Sequence, residues 1–348
     1  MNDLHSLLRD HYNAHPNMEI QDAVKFLYQS FMGPGHLISD EGAARDRLRA
    51  EWENAAPNSE VPLIESLGDS YIRLNISACK AIGLSIDTTA KLFLLSAQTP
   101  AATGNELRAA LSLVYELPFP RERVDEYLEH YRAADLPAVS HSETYRAGYT
   151  PAYRVISRRF EHTLPILAAI DRQLRLGVPV RVAIDGPCAS GKSTLGEQLR
   201  EIYDCPLIHM DDFFLQPHQR TAERLSQPGG NVDYERFSEE VLTSLVQNQT
   251  ARYRPWQCGT ADFGNECVIP PSPLVIVEGS YSMRLDLRDN YTLRIWVEAP
   301  WPLREQRLLE RGGPDCLQCF QELWIPLEDR YFQSCAVRDC CHLSHPGY

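Results

Sequence analysis

The sequence lacks any long apolar segment. A helix needs about 20 predominantly apolar residues to cross a bilayer, and no run of that kind occurs in the 348 residues. The opening residues, MNDLHSLLRDHYNAHPNMEI, carry acids and histidines where an export signal would have a basic start and an apolar core. We therefore expect a cytoplasmic protein with no membrane partner.

Positive charge is also scarce. Lys and Arg total 34 against 47 Asp and Glu, for a formal net charge of -13. Nucleic acids bind clustered positive charge, so they are excluded as expected partners. A small anionic ligand remains compatible, because a local site can oppose the sign of the whole surface. We expect a small-molecule partner, and association into a homo-oligomer stays open.

The ten cysteines are dispersed through a chain without an export signal, which favours reduced thiols over a disulfide framework. Half of them lie between positions 316 and 341. There, CLQC from Cys316 and CCHLSH from Cys340 supply ligand types that zinc accepts, although the spacing matches no standard zinc motif. A zinc site and a chance cluster of thiols both stay open.

Helical periodicity dominates the first half of the chain. Apolar residues at Ala23, Phe26, Leu27 and Phe31 recur on one helix face within the segment 19–32. Similar patterns predict helices over 37–54, 87–97, 104–116, 121–134 and 153–175. Around His141, a polar and aromatic stretch fits either a second site or a packing surface.

From Val178 onward the pattern changes. The apolar runs VPVRVAID, PLIHM, PLVIVE and YTLRIWVEA are separated by helical segments, which is typical of a parallel sheet covered by helices. We predict a mostly α-helical domain over 1–175, of unassigned function, followed by an α/β domain over 176–348.

The α/β half opens with a phosphate-binding motif. GPCASGKS fits G-x-x-x-x-G-K-[ST] at every fixed position, with a β-branched strand before it and an amphipathic helix after it. This arrangement, the P-loop NTPase fold, cradles phosphates with backbone N–H groups at a helix N-terminus. The predicted nucleotide-binding residues are Gly186, Pro187, Cys188, Ala189, Ser190, Gly191, Lys192, Ser193 and Thr194.

Individual roles follow from the motif. Lys192 reaches the β and γ phosphates of ATP, and the Ser193 hydroxyl is a ligand for Mg²⁺. Thr194 is placed to contact the α phosphate. We also expect the helix N-terminus to favour the thiolate of Cys188.

Acids at strand ends supply the next set of candidates. Asp211 and Asp212 follow the apolar run that ends at Met210, and Glu278 ends the run LVIVE. Such positions face the ligand crevice of doubly wound folds. We predict Asp211 as the base that accepts a hydroxyl proton, and Glu278 as a contact to Mg²⁺. An alternative role for Asp212 is a helix cap.

The segment PLREQRLLERGG predicts a hinged lid. Arg304, Arg307 and Arg311 lie on one helix face before Gly312 and Gly313, and could carry guanidinium charge over the phosphates. A solvated basic face is the alternative interpretation. Together with Lys192 and Asp211, the lid arginines favour phosphoryl transfer over signalling.

The motifs GPCASGKST, MDDFF, NVDYERF, VIVEGSY and REQRLLERGG resemble, in order and spacing, the uridine kinase and phosphoribulokinase family. The doubled acid is similar to that of nicotinamide riboside kinases, and the resemblance covers about 178–345. It implies that Asp211 is the general base and that Asp233 contacts the ribose. Tyr253 and Arg254 lie where the family recognises its substrate, and Asp212 is predicted to bind substrate as well.

The chain departs from that family in two places. YERF follows Asp233 where the family has H-P-D-A-F, and no histidine for reading a pyrimidine follows Tyr253. The prediction is therefore an ATP- and Mg²⁺-dependent kinase of a small-molecule hydroxyl, with a nucleoside as first choice. The alternatives are a kinase of a non-nucleoside alcohol and a nucleotide-dependent regulatory module whose helical half binds a protein.

Overall fold

The computed structural model describes residues 4–37, 40–98 and 102–347. The chain divides into two compact units, Met1–Ala168 and Ala169–Tyr348. Helix α9 (Leu164–Leu174) contains the point of division. Within the described residues, every helix is too short or too polar to span a bilayer.

Helices form most of the first unit, as predicted. They are α1 (Leu4–Ala14), α2 (Ile20–Met32), α3 (Glu41–Asn54), α4 (Ile76–Ile82), α5 (Ile86–Ala97), α6 (Gly104–Ala110), α7 (Arg121–Ala133) and α8 (Glu143–Tyr149). Helix α2 shows why. Glu19 and Asp22 form a capping box at its start, and Ala23, Phe26 and Leu27 are fully buried in the core of this unit.

The first unit also contains an antiparallel sheet that the periodicity did not predict. Its strands are β1 (Ile64–Ser66), β2 (Tyr71–Asn75) and β3 (Tyr153–Ser157), in the order β1-β2-β3. The predicted helix over 153–175 is therefore wrong at its start. The segment YRVIS pairs with β2, where its β-branched side chains pack on a sheet, and only Leu164–Leu174 is α-helical.

A buried polar network explains the stretch around His141. The fully buried carboxylate of Asp22 accepts hydrogen bonds from His141 Nδ1 at 2.9 Å, Ser142 Oγ at 2.6 Å and Ser142 N at 2.9 Å. His141 also stacks on Tyr145. Burial alone would raise the pKa of Asp22, but the bonds from His141 and Ser142 lower it to about 2. These contacts fix the stretch within the core of the first unit.

The second unit is built on a five-stranded parallel sheet. Its strands are β4 (Val180–Asp185), β5 (Leu207–His209), β10 (Leu274–Glu278), β11 (Leu293–Glu298) and β12 (Leu343–Pro346), in the order β12-β11-β4-β10-β5. Four of them are the predicted apolar runs, and β12 adds an edge. Strand β10 is buried along its whole length, as expected for a sheet covered on both faces. The predicted α/β fold, a parallel sheet with flanking helices, is confirmed.

Smaller elements and helices surround this sheet. The helices are α10 (Lys192–Tyr203), α11 (Ala222–Ser226), α12 (Tyr234–Phe237), α13 (Thr243–Val246), α14 (Trp301–Cys319) and α15 (Ile325–Cys335). Two short antiparallel pairs join β6 (Ala251–Tyr253) to β9 (Cys267–Ile269), and β7 (Trp256–Gln257) to β8 (Asp262–Phe263).

The sheet brings three chemically important chain segments to one edge. Because β4, β5 and β10 are parallel, their carboxyl ends lie together, with Glu278 aligned with both Ile184 and His209. The phosphate loop leaves β4 at Gly186, whose φ is +149°. A Cβ atom there would lie 2.1 Å from the Val297 carbonyl oxygen, so only glycine fits this turn.

Candidate active site

The phosphate loop joins β4 to α10, and its backbone curves to present N–H groups. Ala189 and Gly191 both adopt left-handed conformations, with φ of 57° and 105°. Residues with such alternating conformations form anion-binding concavities. Helix α10 begins at Lys192, whose Nζ donates to the carbonyls of Gly186 at 2.8 Å and Pro187 at 3.0 Å. Loop, helix N-terminus and ammonium group are thus assembled at one place.

Two oxygen donors that could hold a divalent cation lie beside the loop. The Ser193 hydroxyl donates to Glu278 Oε1 at 3.1 Å, and His209 Nδ1 is 2.5 Å from the same oxygen. That hydrogen bond raises the pKa of His209. A hydroxyl and a carboxylate are donors that Mg²⁺ prefers, and Mg²⁺ commonly takes few protein ligands together with substrate phosphates. The residues present fit this ion.

Asp211 lies two residues beyond β5, on a short 3₁₀ turn over Met210–Phe213. Its side chain opens onto the same cavity as the phosphate loop. Desolvation in this cleft raises the pKa of Asp211, and the negative charges of Glu278 and Glu328 raise it further. Lys192 and Arg311 act in the opposite direction. A carboxylate with a raised pKa suits proton acceptance from a hydroxyl.

The cavity at this edge has a volume of about 510 Å³. Of the residues predicted from the sequence, its wall includes Cys188, Ala189, Ser190, Gly191, Lys192, Ser193, Thr194, Asp211, Glu278, Arg307 and Arg311. Residues from four distant parts of the chain therefore meet around one space. Gly186 and Pro187 contribute through their carbonyls, which hold Lys192.

The arginine-rich helix lies against the phosphate loop. Arg304 Nε donates to the Cys188 carbonyl at 2.8 Å, and Arg307 Nη1 donates to the Ala189 carbonyl at 2.9 Å. Helix α14 is interrupted just beyond the arginines, where Gly312 and Gly313 leave helical geometry. This break is the predicted hinge position.

Four residues predicted to bind substrate are not on the cavity wall, among the described residues. The carboxylate of Asp233 caps α12 through the Arg236 amide and accepts from Gln219 Nε2 at 2.7 Å. Tyr253 is buried and its hydroxyl donates to Asp212 at 3.1 Å. Arg254 donates to the carbonyls of Phe263 and Gly264, so its guanidinium is bound to the end of β8 and the residue that follows it. Each of these four side chains thus makes at least one hydrogen bond within the fold.

Ten residues of the cavity wall were not predicted, among them Glu328, Arg220 and Asn231. Glu328, on α15, is buried, and its Oε2 accepts from the Cys188 amide at 2.8 Å while its Oε1 accepts from Ser280 at 2.7 Å. Arg220 and Asn231 lie on the wall beyond Asp211. In the sequence Glu328 stands in the charged run EDR, which looks like a solvated helix face, so no local pattern marks it.

The structure bears on two groups of cysteines, Cys188 and the C-terminal cluster. Burial, with the charge of Glu328, raises the pKa of Cys188 to about 11, so the predicted thiolate is wrong. In the C-terminal cluster, where zinc and a chance group of thiols are the two alternatives, Cys316 lies on α14, whereas Cys340 packs against the core of the second unit. Within the described ranges, no three Cys, His, Asp or Glu side chains converge as ligands.

No protein-family model and no curated protein matches this chain. Solved structures of P-loop kinases are similar to about half of it. A possible uridine kinase from Bacillus stearothermophilus is 16% identical over 51% of this chain and 96% of its own, with a TM-score of 0.39. D-glycerate 3-kinase from Cryptococcus neoformans is 16% identical over 47% of this chain and 86% of its own, with a TM-score of 0.37. Shikimate kinase from Bacteroides thetaiotaomicron is 16% identical over 47% of this chain and 84% of its own, with a TM-score of 0.25.

Proposed function

We propose that this chain is an ATP-dependent kinase that transfers the γ-phosphoryl group to a hydroxyl of a small molecule. The observation that carries the proposal is the shared cavity. Asp211, a carboxylate with a raised pKa, opens into the same space as the phosphate loop and Arg307 and Arg311 of α14. A nucleotide-binding module without transfer chemistry needs the loop but has no use for a base beside it.

The residues divide the work as follows. Backbone amides of the loop and Lys192 hold the β and γ phosphates, and Ser193 with Glu278 hold Mg²⁺, which neutralises charge on the transferring group when bound. Asp211 accepts the proton of the attacking hydroxyl. Arg307 and Arg311 stabilise the charge that develops in the transition state. Most of the rate acceleration would come from positioning and electrostatics.

Arg304 and Arg307 are expected to change their hydrogen-bond partners during the reaction. Both now donate to loop carbonyls, at Cys188 and Ala189. Bound phosphate oxygens are stronger acceptors for guanidinium groups than neutral carbonyls. We expect the arginines to exchange these partners when ATP binds, with rotation of α14 about Gly313.

A nucleoside is the acceptor that the resemblance to uridine kinases implies. The residues carried over for ribose and base, Asp233 and Tyr253, instead make bonds within the fold. The identity of the acceptor is therefore best determined with a panel of alcohols from several chemical classes. We place the activity in the second unit, Ala169–Tyr348.

The test is ADP release coupled to a panel of nucleosides, sugars, hydroxy acids, amino acids and vitamin alcohols. We expect one class of acceptor to raise ADP above the rate with water, and Asp211→Asn to abolish that increase. Asp262→Asn is the matched control, because Asp262 is exposed on β8 and its bond to the Phe263 amide can be made by an asparagine. ATP binding with no acceptor-dependent ADP would contradict the proposal and favour the regulatory module.

A further inference from the structure

One wall of the cavity is formed by a compact segment that follows Asp211. Arg220 Nε donates to the Leu215 carbonyl at 3.1 Å, and the Leu215 amide donates to the Asn231 carbonyl at 3.2 Å. Phe214 forms an isolated antiparallel bridge with Val232. We call Phe214, Arg220 and Asn231, which all line the cavity, the acceptor wall. It begins three residues after the proposed base and lines the same cavity, so an acceptor whose hydroxyl reaches Asp211 would lie beside it.

Arg220 brings a positive charge to this wall without a matching acid. Among the described residues, its guanidinium contacts the Leu215 carbonyl and, through Nη2, the Cys258 sulfur at 3.8 Å, and it forms no ion pair with a carboxylate. Lys192 and Arg307 are bound to the phosphate loop, and Arg311 lies on α14 with Arg307. The guanidinium of Arg220 is therefore available on the acceptor side. Its planar fork matches the oxygens of a carboxylate or a phosphate.

Asn231 adds a second donor. Its side chain is buried, with 6% of its surface exposed, and Nδ2 has no hydrogen-bond partner among the described residues. Burial raises the pKa of the neighbouring Tyr281 phenol, and the Asn231 amide beside it acts in the opposite direction. An unpaired buried donor is unfavourable, so a ligand oxygen at this point would be stabilising.

The carboxylates that line the cavity already accept hydrogen bonds from the protein or have another proposed role. Glu278 accepts from Ser193 and His209, and Glu328 accepts from the loop amide of Cys188. Asp211 is the proposed base. The acceptor wall thus offers donors and an aromatic face, with Phe214 6.2 Å from Trp324 between ring centroids, but no carboxylate to accept from sugar hydroxyls. This combination selects an oxyanion over a neutral polyol.

We propose that the acceptor alcohol carries an anionic group, a carboxylate or a phosphate, which Arg220 binds through its guanidinium and Asn231 through its amide. The inference rests on the proposed kinase function and names its substrate class. The phosphoryl group goes to a hydroxyl of the same molecule, whose proton goes to Asp211. The oxyanion on the acceptor wall holds that hydroxyl in place.

The first experiment compares matched acceptors that differ only in the anionic group. Glycerol against glycerate tests a carboxylate, ribose against ribose 5-phosphate tests a phosphate, and uridine represents a neutral nucleoside. We expect kcat/KM to be at least roughly 10-fold higher for the anionic member of one pair, since one charge-assisted contact is worth about 1.5–3 kcal/mol. ADP release that is equal or faster with the neutral members would leave the kinase standing and overturn this inference.

The second experiment changes the wall. Arg220→Gln should raise KM for the anionic acceptor roughly 10- to 100-fold, while KM for ATP stays constant. Arg220→Lys should recover part of the loss. Arg252→Gln is the matched control, because Arg252 is an exposed arginine paired with Glu266. A purely structural role for Arg220 would instead change kcat, KM for ATP and thermal stability together, and that result would refute the proposal.

Binding separates this inference from the proposed function. Calorimetric titration of ribose 5-phosphate and of glycerate, with a non-hydrolysable ATP analogue present, needs no turnover. We expect one of them to bind to the wild type and to lose affinity in Arg220→Gln and in Asn231→Asp, which places a negative charge on the wall. Binding without turnover would count against the kinase alone. Failure of both ligands to bind would refute the anion site.

Discussion

Gly186→Ala perturbs the turn where β4 becomes the phosphate loop. An added Cβ would lie 2.1 Å from the Val297 carbonyl oxygen, whereas real contacts of this kind stay at or beyond 3.0 Å. The added Cβ and the Val297 carbonyl oxygen must therefore move apart by 0.9 Å, the difference between those two distances. Val297 lies on β11, whose pairing with β4 resists this movement. The φ of +149° is strained for alanine as well. Overpacking and backbone strain together give roughly 2–6 kcal/mol.

Thermal unfolding and ATP binding measure the outcome. A loss of that size should lower the unfolding midpoint of the second unit by roughly 5–20 °C and weaken ATP binding, because the loop moves with Gly186. Gly259→Ala is the control, since nothing lies within 4 Å of its added Cβ and its φ is ordinary. A Gly186→Ala protein that melts with the wild type and binds ATP equally well would show that β11 yields at little cost, and the reasoning would fail.

Three further predictions concern other parts of the chain. Because the pKa of Asp211 is raised and the base must be ionised, kcat/KM should fall on acidification at a higher pH than for an ordinary aspartate, and Glu328→Gln should move this limb of the pH–rate profile to lower pH. Gly313→Ala places an alanine at φ 71°, where the left-handed backbone costs about 1 kcal/mol and disfavours the break in α14. Steady-state kinetics should then show a larger loss in kcat than in ATP affinity. Asp22→Asn should destabilise the first unit by roughly 2 kcal/mol at pH 7 in urea unfolding, because the native pKa of about 2 lies below the unfolded value of 3.8. That difference should disappear as the pH falls through 4 towards 2, and a difference that persists would contradict the assigned role of the carboxylate.

Local sequence predicted the parts of this protein that are encoded by contiguous residues. The phosphate loop needs glycines, a lysine and a serine at fixed positions between a strand and a helix, and all of them lie within 186–193. Asp211 and Glu278 could be predicted as candidates because parallel strands place their carboxyl ends at one edge, and both residues line the cavity there. The parallel sheet followed from apolar runs of strand length, since a strand covered on both faces must be apolar throughout.

The misses have a common cause. The sequence predicts a helix where β3 lies, because its five residues carry too little periodicity to outweigh the helical pattern that follows them. Its identity depends on pairing with β2, about 80 residues earlier in the chain. The predicted thiolate of Cys188 was wrong because the motif sets only the helix N-terminus, whereas burial and Glu328 determine the actual pKa.

The phosphate loop, the base candidate and the arginine helix that breaks at Gly312 can each be predicted from residues close together in the chain, because each is a short-range pattern. The residues that surround them are set by packing. Glu328 reaches the Cys188 amide across 140 residues, and Arg220 and Asn231 become one wall through their common bonds to Leu215. Such contacts arise from packing between distant segments, which leaves no periodic mark in the residues that make them.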